Sequence, residues 1–425
     1  MAMNSPSSPT THPAKPGKVN SQAAGYLLSW PGLLAMAAVL VLAAWNGQAP
    51  IVVLTSLLFS SAGLAKIWSH LSLARISCRR QLSERRVFPG EKINVKLQVA
   101  NRKPLPLPWI QVDDEIPQAL GGASTLSGER PGSVLIRRSA AMLWYSSVKW
   151  KYELPCLKRG YYPLGPTVIS SGDIFGLYSR SLKTAMEDHV IVYPRIFPVG
   201  RLPIPSQQPL GESRSEYRVF QDPTRPIGVR DYQHGDSLRH VHWKASARLQ
   251  ALQVKIFEPT TTFKVALFLS VDSFTANGSF NEDAFELGIS VAASLAHHVV
   301  EQGSPAGVFV NTRGVDSDQP VSLVPSGSRD QLTSILEALA KVTASSSGSF
   351  EHFLENEQKV LHAGTTVALI FANPPETLPL LLHSLKENGF KLLLFVIGEG
   401  EALPWGEGIP VHRVRNAGDL GGLEA

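Results

Sequence analysis

Apolar residues along the chain follow three successive rhythms. Residues 25–45 contain no charged side chain, and at about 1.5 Å rise per residue they make a helix of about 31 Å, close to the ~30 Å hydrocarbon core of a bilayer. A second apolar stretch, 51–68, is interrupted only by Lys66, whose stem reaches from a helix end to the interface. Together they predict a transmembrane helical hairpin within residues 25–70. Asn46-Gly47 to Pro50 supplies the turn, and Tyr26, Trp30, Trp45 and Trp68 sit near the ends as interfacial anchors. The period then becomes two. Residues 87–99 alternate, with Phe88-Pro89-Gly90-Glu91 as a turn before Ile93, Val95, Leu97 and Val99. Further short runs at 109–112, 133–138, 147–154 and 167–170, separated by Pro- and Gly-rich breaks, predict a small antiparallel β-sandwich-like domain over 80–200.

From residue 263 apolar strands alternate with helical periods. Strands are read at 263–271, 306–311, 321–324, 366–372 and 391–397, and helices at 282–302, 330–342, 350–362 and 378–388. This order predicts a doubly wound α/β domain over 263–415 whose ligands sit beyond the carboxyl ends of the strands. Residues 1–24, with Pro6, Pro9, Pro13 and Pro16 among polar residues, read as an unstructured tail, and 416–425 as a frayed one. The fold class is therefore α+β multidomain, with residues 201–262 linking the β-rich and α/β parts.

Composition narrows the function. At 44% hydrophobic and 18% charged residues the chain is neither fibrous nor disordered throughout. A formal charge of +5 is small for 425 residues, and in 211–258 Glu212, Glu216, Asp222, Asp231, Asp236 and Glu258 offset most of the Arg and Lys, which argues against a nucleic-acid partner. Two cysteines, Cys78 and Cys156, make neither a disulfide framework nor a structural zinc site. Lys15 and Lys18 precede the first apolar stretch and Arg75, Arg79, Arg80, Arg85 and Arg86 follow the second. The positive-inside rule then puts a multi-pass protein in the inner membrane with both termini cytoplasmic. Asp113-Asp114-Glu115 reads as a solvated turn, since neighbours on a strand point to opposite faces and cannot converge on one ion.

The candidate site lies in the linking segment. Arg230-Asp231-Tyr232-Gln233-His234-Gly235-Asp236 leads into Arg239, then Trp243-Lys244 and Arg248. Asp236 is placed to cap the following turn. On a helix Arg239 and Trp243 would share a face, as would Lys244 and Arg248, so that a guanidinium lies on the indole. Arg230, Tyr232, Asp236, Arg239, Trp243, Lys244 and Arg248 thus form either a structural clasp or a site for an anion or an acidic partner. His234, His240 and His242 lack the carboxylate or Cys that a metal site needs. Ser237 and Ser246 lie near histidines without a nucleophile elbow or an orienting acid, so no residue is assigned as catalytic and no cofactor is expected.

Three strings leading up to this segment, Lys158-Arg159-Gly160-Tyr161-Tyr162, Ser171-Gly172-Asp173-Ile174-Phe175-Gly176-Leu177 and Val190-Ile191-Val192-Tyr193-Pro194-Arg195, together with the stretch from Gly228 to Arg248, closely resemble the bacterial and archaeal family called domain of unknown function 58. The resemblance implies a membrane-anchored protein whose carboxy-terminal domain is von Willebrand factor type A-like. It also implies a partnership with MoxR-type AAA+ ATPases, at times with transglutaminase-like and other membrane proteins, in chaperone-like assembly or envelope processes. In the type A fold an Asp-x-Ser-x-Ser string after the first strand often holds a divalent cation. Here it stands as Asp272-Ser273-Phe274-Thr275-Ala276, and Asn373 occupies a position where Asp is usual, so Asp272 and Ser273 are a degenerate metal position expected to cap a loop or meet a partner. A non-catalytic interaction module is the expectation, with an enzyme acting through Arg230, Arg239 and Lys244, or metal-dependent ligand binding, as the alternatives.

Overall fold

The computed structural model describes residues 19–23, 30–121, 126–184, 188–200, 221–233, 237–259, 264–276, 278–315, 319–399 and 408–422. The chain divides into two compact units, Met1–Pro194 and Arg195–Ala425.

The first unit opens with strand β1 (Val19–Ala23), followed by helices α1 (Trp30–Trp45) and α2 (Ala49–Ser72). β1 falls inside the stretch expected to be an unstructured tail, and its backbone pairs with a much later strand. Gly47, at φ 70, lets the chain reverse between the helices, while Pro50 belongs to the first turn of α2, where its missing N–H leaves no partner wanting. Among the described residues α2 is the one helix long and apolar enough to cross a membrane, and residues 25–29 of the first expected span lie outside them. The described part of α1 has 16 residues, about 24 Å of helix.

The β-rich part contains β2 (Ile76–Leu82), β3 (Arg86–Val87), β4 (Lys92–Asn101), β5 (Leu107–Pro117), β6 (Ser133–Met142), β7 (Ser147–Pro155), β8 (Gly160–Leu164), β9 (Thr167–Gly172), β10 (Tyr178–Thr184) and β11 (Asp188–Val192). They form a five-stranded sheet in the order β1-β10-β9-β5-β6 and two three-stranded sheets, β2-β4-β7 and β3-β11-β8. The alternation in β4 buries Ile93, Val95, Leu97 and Val99. Leu97 and Val99 pack with Ile110, Val112 and Ile169 of the five-stranded sheet, so the two sheets share one core.

The end of α2 is bound to this domain. The Lys103 ammonium donates to the Ser72 carbonyl and, at 3.0 Å, to that of Ala74, and Arg180 Nη1 donates to the His70 carbonyl at 3.2 Å. These cations occupy carbonyls that a helix end leaves unpartnered. Burial pushes the Lys103 ammonium down to about 8.

The second unit holds β12 (Gln221–Asp231), the short helix α3 (Trp243–Leu249) and β13 (Gln253–Pro259), then β14 (Val265–Leu269), a two-strand turn β15 (Thr275–Ala276) and β16 (Ser279–Phe280), α4 (Glu282–Glu301), β17 (Ala306–Gly314), β18 (Pro320–Ser326), α5 (Gln331–Lys341), β19 (Val342–Ser346), α6 (Phe350–Glu357), β20 (Thr366–Phe371), α7 (Leu378–Glu387), β21 (Lys391–Ile397) and β22 (Val411–Val414). β14, β17, β20, β21 and β22 pair in parallel, and β18 and β19 join antiparallel to β17. Phe268 stacks on Phe309 at 4.6 Å beneath α6 and α7, which contribute Phe350, Phe353, Leu378, Leu382 and Leu385. α4 also packs against the sheet and buries Phe285, Ile289, Leu295 and Val299. Gly288 is required on this helix because a Cβ there would lie 2.7 Å from the Phe274 ring. The carboxy-terminal tail expected at 416–425 is folded over Ala417–Leu420: Leu420 is fully buried, and the Asn416 and Asp419 side chains form a capping box.

Candidate functional site

In the linking segment β12 and β13 pair antiparallel, Arg230 opposite Val254 and Asp231 opposite Gln253. Tyr232 N donates to the Leu252 carbonyl at 2.8 Å, and Val241 bridges Val254 from the other side. Among the described residues between them, Leu238–His240 form a single turn and α3 follows. His242 caps α3, its Nδ1 accepting from Ala245 N at 3.0 Å, which leaves the proton on Nε2. Ser246 Oγ donates to the His242 carbonyl at 3.1 Å and accepts from Gln253 N at 2.9 Å, while Gln253 Nε2 donates to Asp231 Oδ1 at 2.5 Å. Gln250, at φ 52, ends the helix. His242, Ser246, Gln253 and Asp231 thus hold α3 on the β12–β13 pair, and the Ser246 hydroxyl and His242 imidazole, four residues apart, make separate hydrogen bonds within that scaffold.

The side chains that this scaffold leaves outside are the ones of interest. Trp243 is 68% exposed and Leu249 61%, with Leu238, Leu252 and Val229 exposed nearby in the chain. Lys244 and Arg248, one helical turn apart on α3, are exposed, as is Arg230, whose Nη1 donates to the Asp231 carbonyl at 3.1 Å. Tyr232 is half-buried. Asp236 lies outside the described residues, and of Arg239 the backbone alone is described. Arg239 and Trp243 do not share a helix, because His242 interrupts the backbone between the turn and α3. α3 itself buries none of its residues.

Asp272 and Ser273 sit past the carboxyl end of β14. Asp272 Oδ1 accepts from Ser270 Oγ at 2.7 Å and Asn311 Nδ2 at 2.9 Å, and Oδ2 accepts from Phe350 N at 3.1 Å at the start of α6. Ser273 Oγ donates to the Ser270 carbonyl and accepts from Ala372 N, and the Ser273 carbonyl receives both N–H groups of Asn373. The position ties the ends of β14, β17 and β20 to α6.

The acidic run in the β domain departs from its expectation. Asp113, Asp114 and Glu115 lie within β5, not in a solvated turn, and Asp114 and Glu115 are buried. Asp114 pairs with the fully buried Arg80 and accepts from Thr167 Oγ1 at 2.8 Å and Tyr152 Oη at 2.5 Å. Arg80 Nη1 also lies 3.6 Å from Asp188. Burial and the Asp114 carboxylate push the Tyr152 phenol far above its usual value. Asp113 faces the other way and takes two donors from Arg137. The two-residue alternation that sends neighbours to opposite faces held, but the partners of Asp114 come from strands 34 to 53 residues away and left no local signal.

Among solved structures to which the chain has a remote likeness, a β-glucosidase from Listeria innocua is 13% identical over 28% of this chain and 16% of its own, with a TM-score of 0.17. The alkylpurine DNA glycosylase AlkC of Pseudomonas fluorescens is 12% identical over 39% and 43%, TM-score 0.19. Neither score carries an argument about fold or activity. The uncharacterized protein YeaD of Bacillus subtilis (strain 168) is 29% identical over 248 residues, 58% of this chain, and the chain spans 58% of that relative's length. Residues 228–370, from the exposed segment through β20, match the family described as protein of unknown function DUF58.

Proposed function

We propose that this chain is a membrane-anchored interaction protein that presents α3 to an acidic protein partner. In this reading α1 and α2 cross the inner membrane as a hairpin, both termini face the cytoplasm, and the second unit is a type A-like docking domain. Several features support the anchor: Val53, Leu54, Leu57, Leu64 and Ile67 of α2 are each about 60% exposed, an apolar surface that lipid would cover, and the strands on either side of the two helices join the same domain.

The observation that carries the docking role is Trp243. An indole left 68% exposed beside Lys244 and Arg248, on a scaffold that closes its own hydrogen bonds without it, is left largely uncovered by the described residues. Exposed Trp with flanking cations is the usual composition of a binding hot spot. The partner this reading proposes, as the family resemblance implies, is a MoxR-type AAA+ ATPase. The test is binding of such a purified ATPase to the full chain in lipid nanodiscs. Trp243→Ala is expected to weaken binding at least about tenfold with an unchanged melting temperature, and charge reversal at Lys244 and Arg248 to slow association. Unaltered binding by the Trp243→Ala chain rejects this surface.

A further inference from the structure

The strand registers place several distant segments at one end of the β domain. In the five-stranded sheet Ala23 is opposite Tyr178, Gly172 opposite Ser179, Ser171 opposite Ile110, and Leu107 opposite Met142. In the neighbouring sheet Ile76 is opposite Asn101 and Ala100 opposite Ser147. Ile76 begins four residues after α2 ends, so this end of both sheets is the one from which α2 departs. Two turns extend beyond it, 143–146 between β6 and β7, and 173–177 between β9 and β10.

Both turns are firmly built and both carry large apolar side chains outward. In the first, Leu143, Trp144 and Tyr145 are 63%, 59% and 69% exposed. Its backbone is held by Asn101 Nδ2 donating to the Leu143 carbonyl at 2.9 Å and by Ser146 Oγ donating to the same carbonyl, with Tyr145 kept at φ 50. In the second, the buried Asp173 carboxylate accepts from the N–H groups of Phe175, Leu177 and Tyr178 at 2.7 to 3.3 Å, and the turn it shapes exposes Ile174 and Phe175 by about 60% each. Arg75 and Arg102 are exposed at the same end, joined by Arg102 N donating to the Arg75 carbonyl. The carboxylate of Asp173 is consumed inside its turn, so the exposed charge of these loops is cationic.

We infer that these two turns seat the β domain on the lipid leaflet from which α2 emerges, Trp144, Tyr145 and Phe175 lying at the headgroup level and Arg75 and Arg102 meeting anionic phosphates. Aromatic side chains favour that depth because their rings are amphipathic, and basic residues beside a span gain from an anionic surface. The occupant of the patch is a bilayer and not a protein because the patch is continuous with the exit of the apolar helix and matches an anionic surface in charge. The inference rests on the membrane reading proposed above.

The full chain is reconstituted in nanodiscs of phosphatidylcholine and phosphatidylglycerol and labelled with an NBD fluorophore at one added cysteine: Trp144→Cys, Phe175→Cys, Ile67→Cys within α2, or Leu157→Cys, exposed at the opposite end of the domain. Burial pushes the Cys78 and Cys156 thiols up to about 12 and about 11, which keeps them unreactive at neutral pH. Lipids brominated near the headgroup are expected to quench positions 144 and 175 by about twofold or more, lipids brominated along the upper acyl chain to quench position 67, and neither to quench position 157. Quenching at 67 with 144 and 175 as bright as 157 overturns the seating and leaves the anchor intact. Equal quenching at 157 also overturns it, since the domain would then lie on its side. No quenching at 67 removes the anchor itself, and this inference with it.

Discussion

The Arg80–Asp114 pair shows how single residues decide the β domain. Both side chains are essentially without solvent contact, and Tyr152 and Thr167 satisfy the remaining carboxylate acceptors. Removing one charge leaves the other buried, whereas replacing both by apolar groups leaves neither. Asp114→Ala is therefore expected to lower stability by about 3–5 kcal/mol, and the double variant Arg80→Met/Asp114→Leu to recover most of it, as read from urea unfolding of the full chain in detergent. A double variant as unstable as the single one would show that shape, not charge, governs the position. Sequence alone placed Arg80 among the cytoplasmic arginines and Asp114 in a turn. Each residue has an ordinary local context, and what makes them a pair is a register among β2, β5, β7 and β9 that no local pattern encodes.

At the scale of elements, local patterns were readable where the period was long and the boundary chemistry strong. The helix at 282–302 and the strand at 391–397 stand within a residue of α4 and β21, because Asn281 caps the one and an unbroken apolar run fills the other. Several strands were missed, β1, β2, β8, β10, β19 and β22 among them: each takes its identity from a neighbour across the sheet. The Trp243 helix was located by its residues but not by its exposure, which depends on the hydrogen bonds among His242, Ser246 and Gln253. The string Ser171 to Leu177, noted first as a family likeness, acquires a physical reason in the Asp173 turn. Asp173→Ala strands three backbone donors and is expected to destabilise the domain by about 1–3 kcal/mol. Asp173→Asn, which keeps an acceptor oxygen, is expected to lose less. The urea midpoints of the two variants compare them directly, and equal losses would remove the carboxylate from the explanation.

For the whole molecule, each of the two units has an apolar core of its own. Their responses to acid should differ. His412 of the second unit is half-buried against Phe395, with ring centroids 5.5 Å apart, and burial pushes its imidazole below the ordinary 6.5. Above 6.5 the ring is neutral whether folded or not. As pH falls below that value the unfolded chain takes up a proton that the native one resists, so stability is lost on the acid side. The melting transition of the second unit should move down between about pH 7 and pH 5, and less steeply in His412→Phe, with the transition that Asp114→Ala shifts serving to identify the first unit. An identical pH slope in His412→Phe would assign the acid sensitivity elsewhere. The pairing of β1 with β10 bears on how the protein is made. About 155 residues separate Ala23 from Tyr178, so during synthesis the leading strand must wait through the emergence of both greasy helices and most of the domain before its partner exists. On the membrane reading proposed above, if only one of those helices enters the bilayer the two strands end up on opposite sides of it and the open rim of the sheet is never covered, which makes completion of the sheet a built-in check that both have inserted.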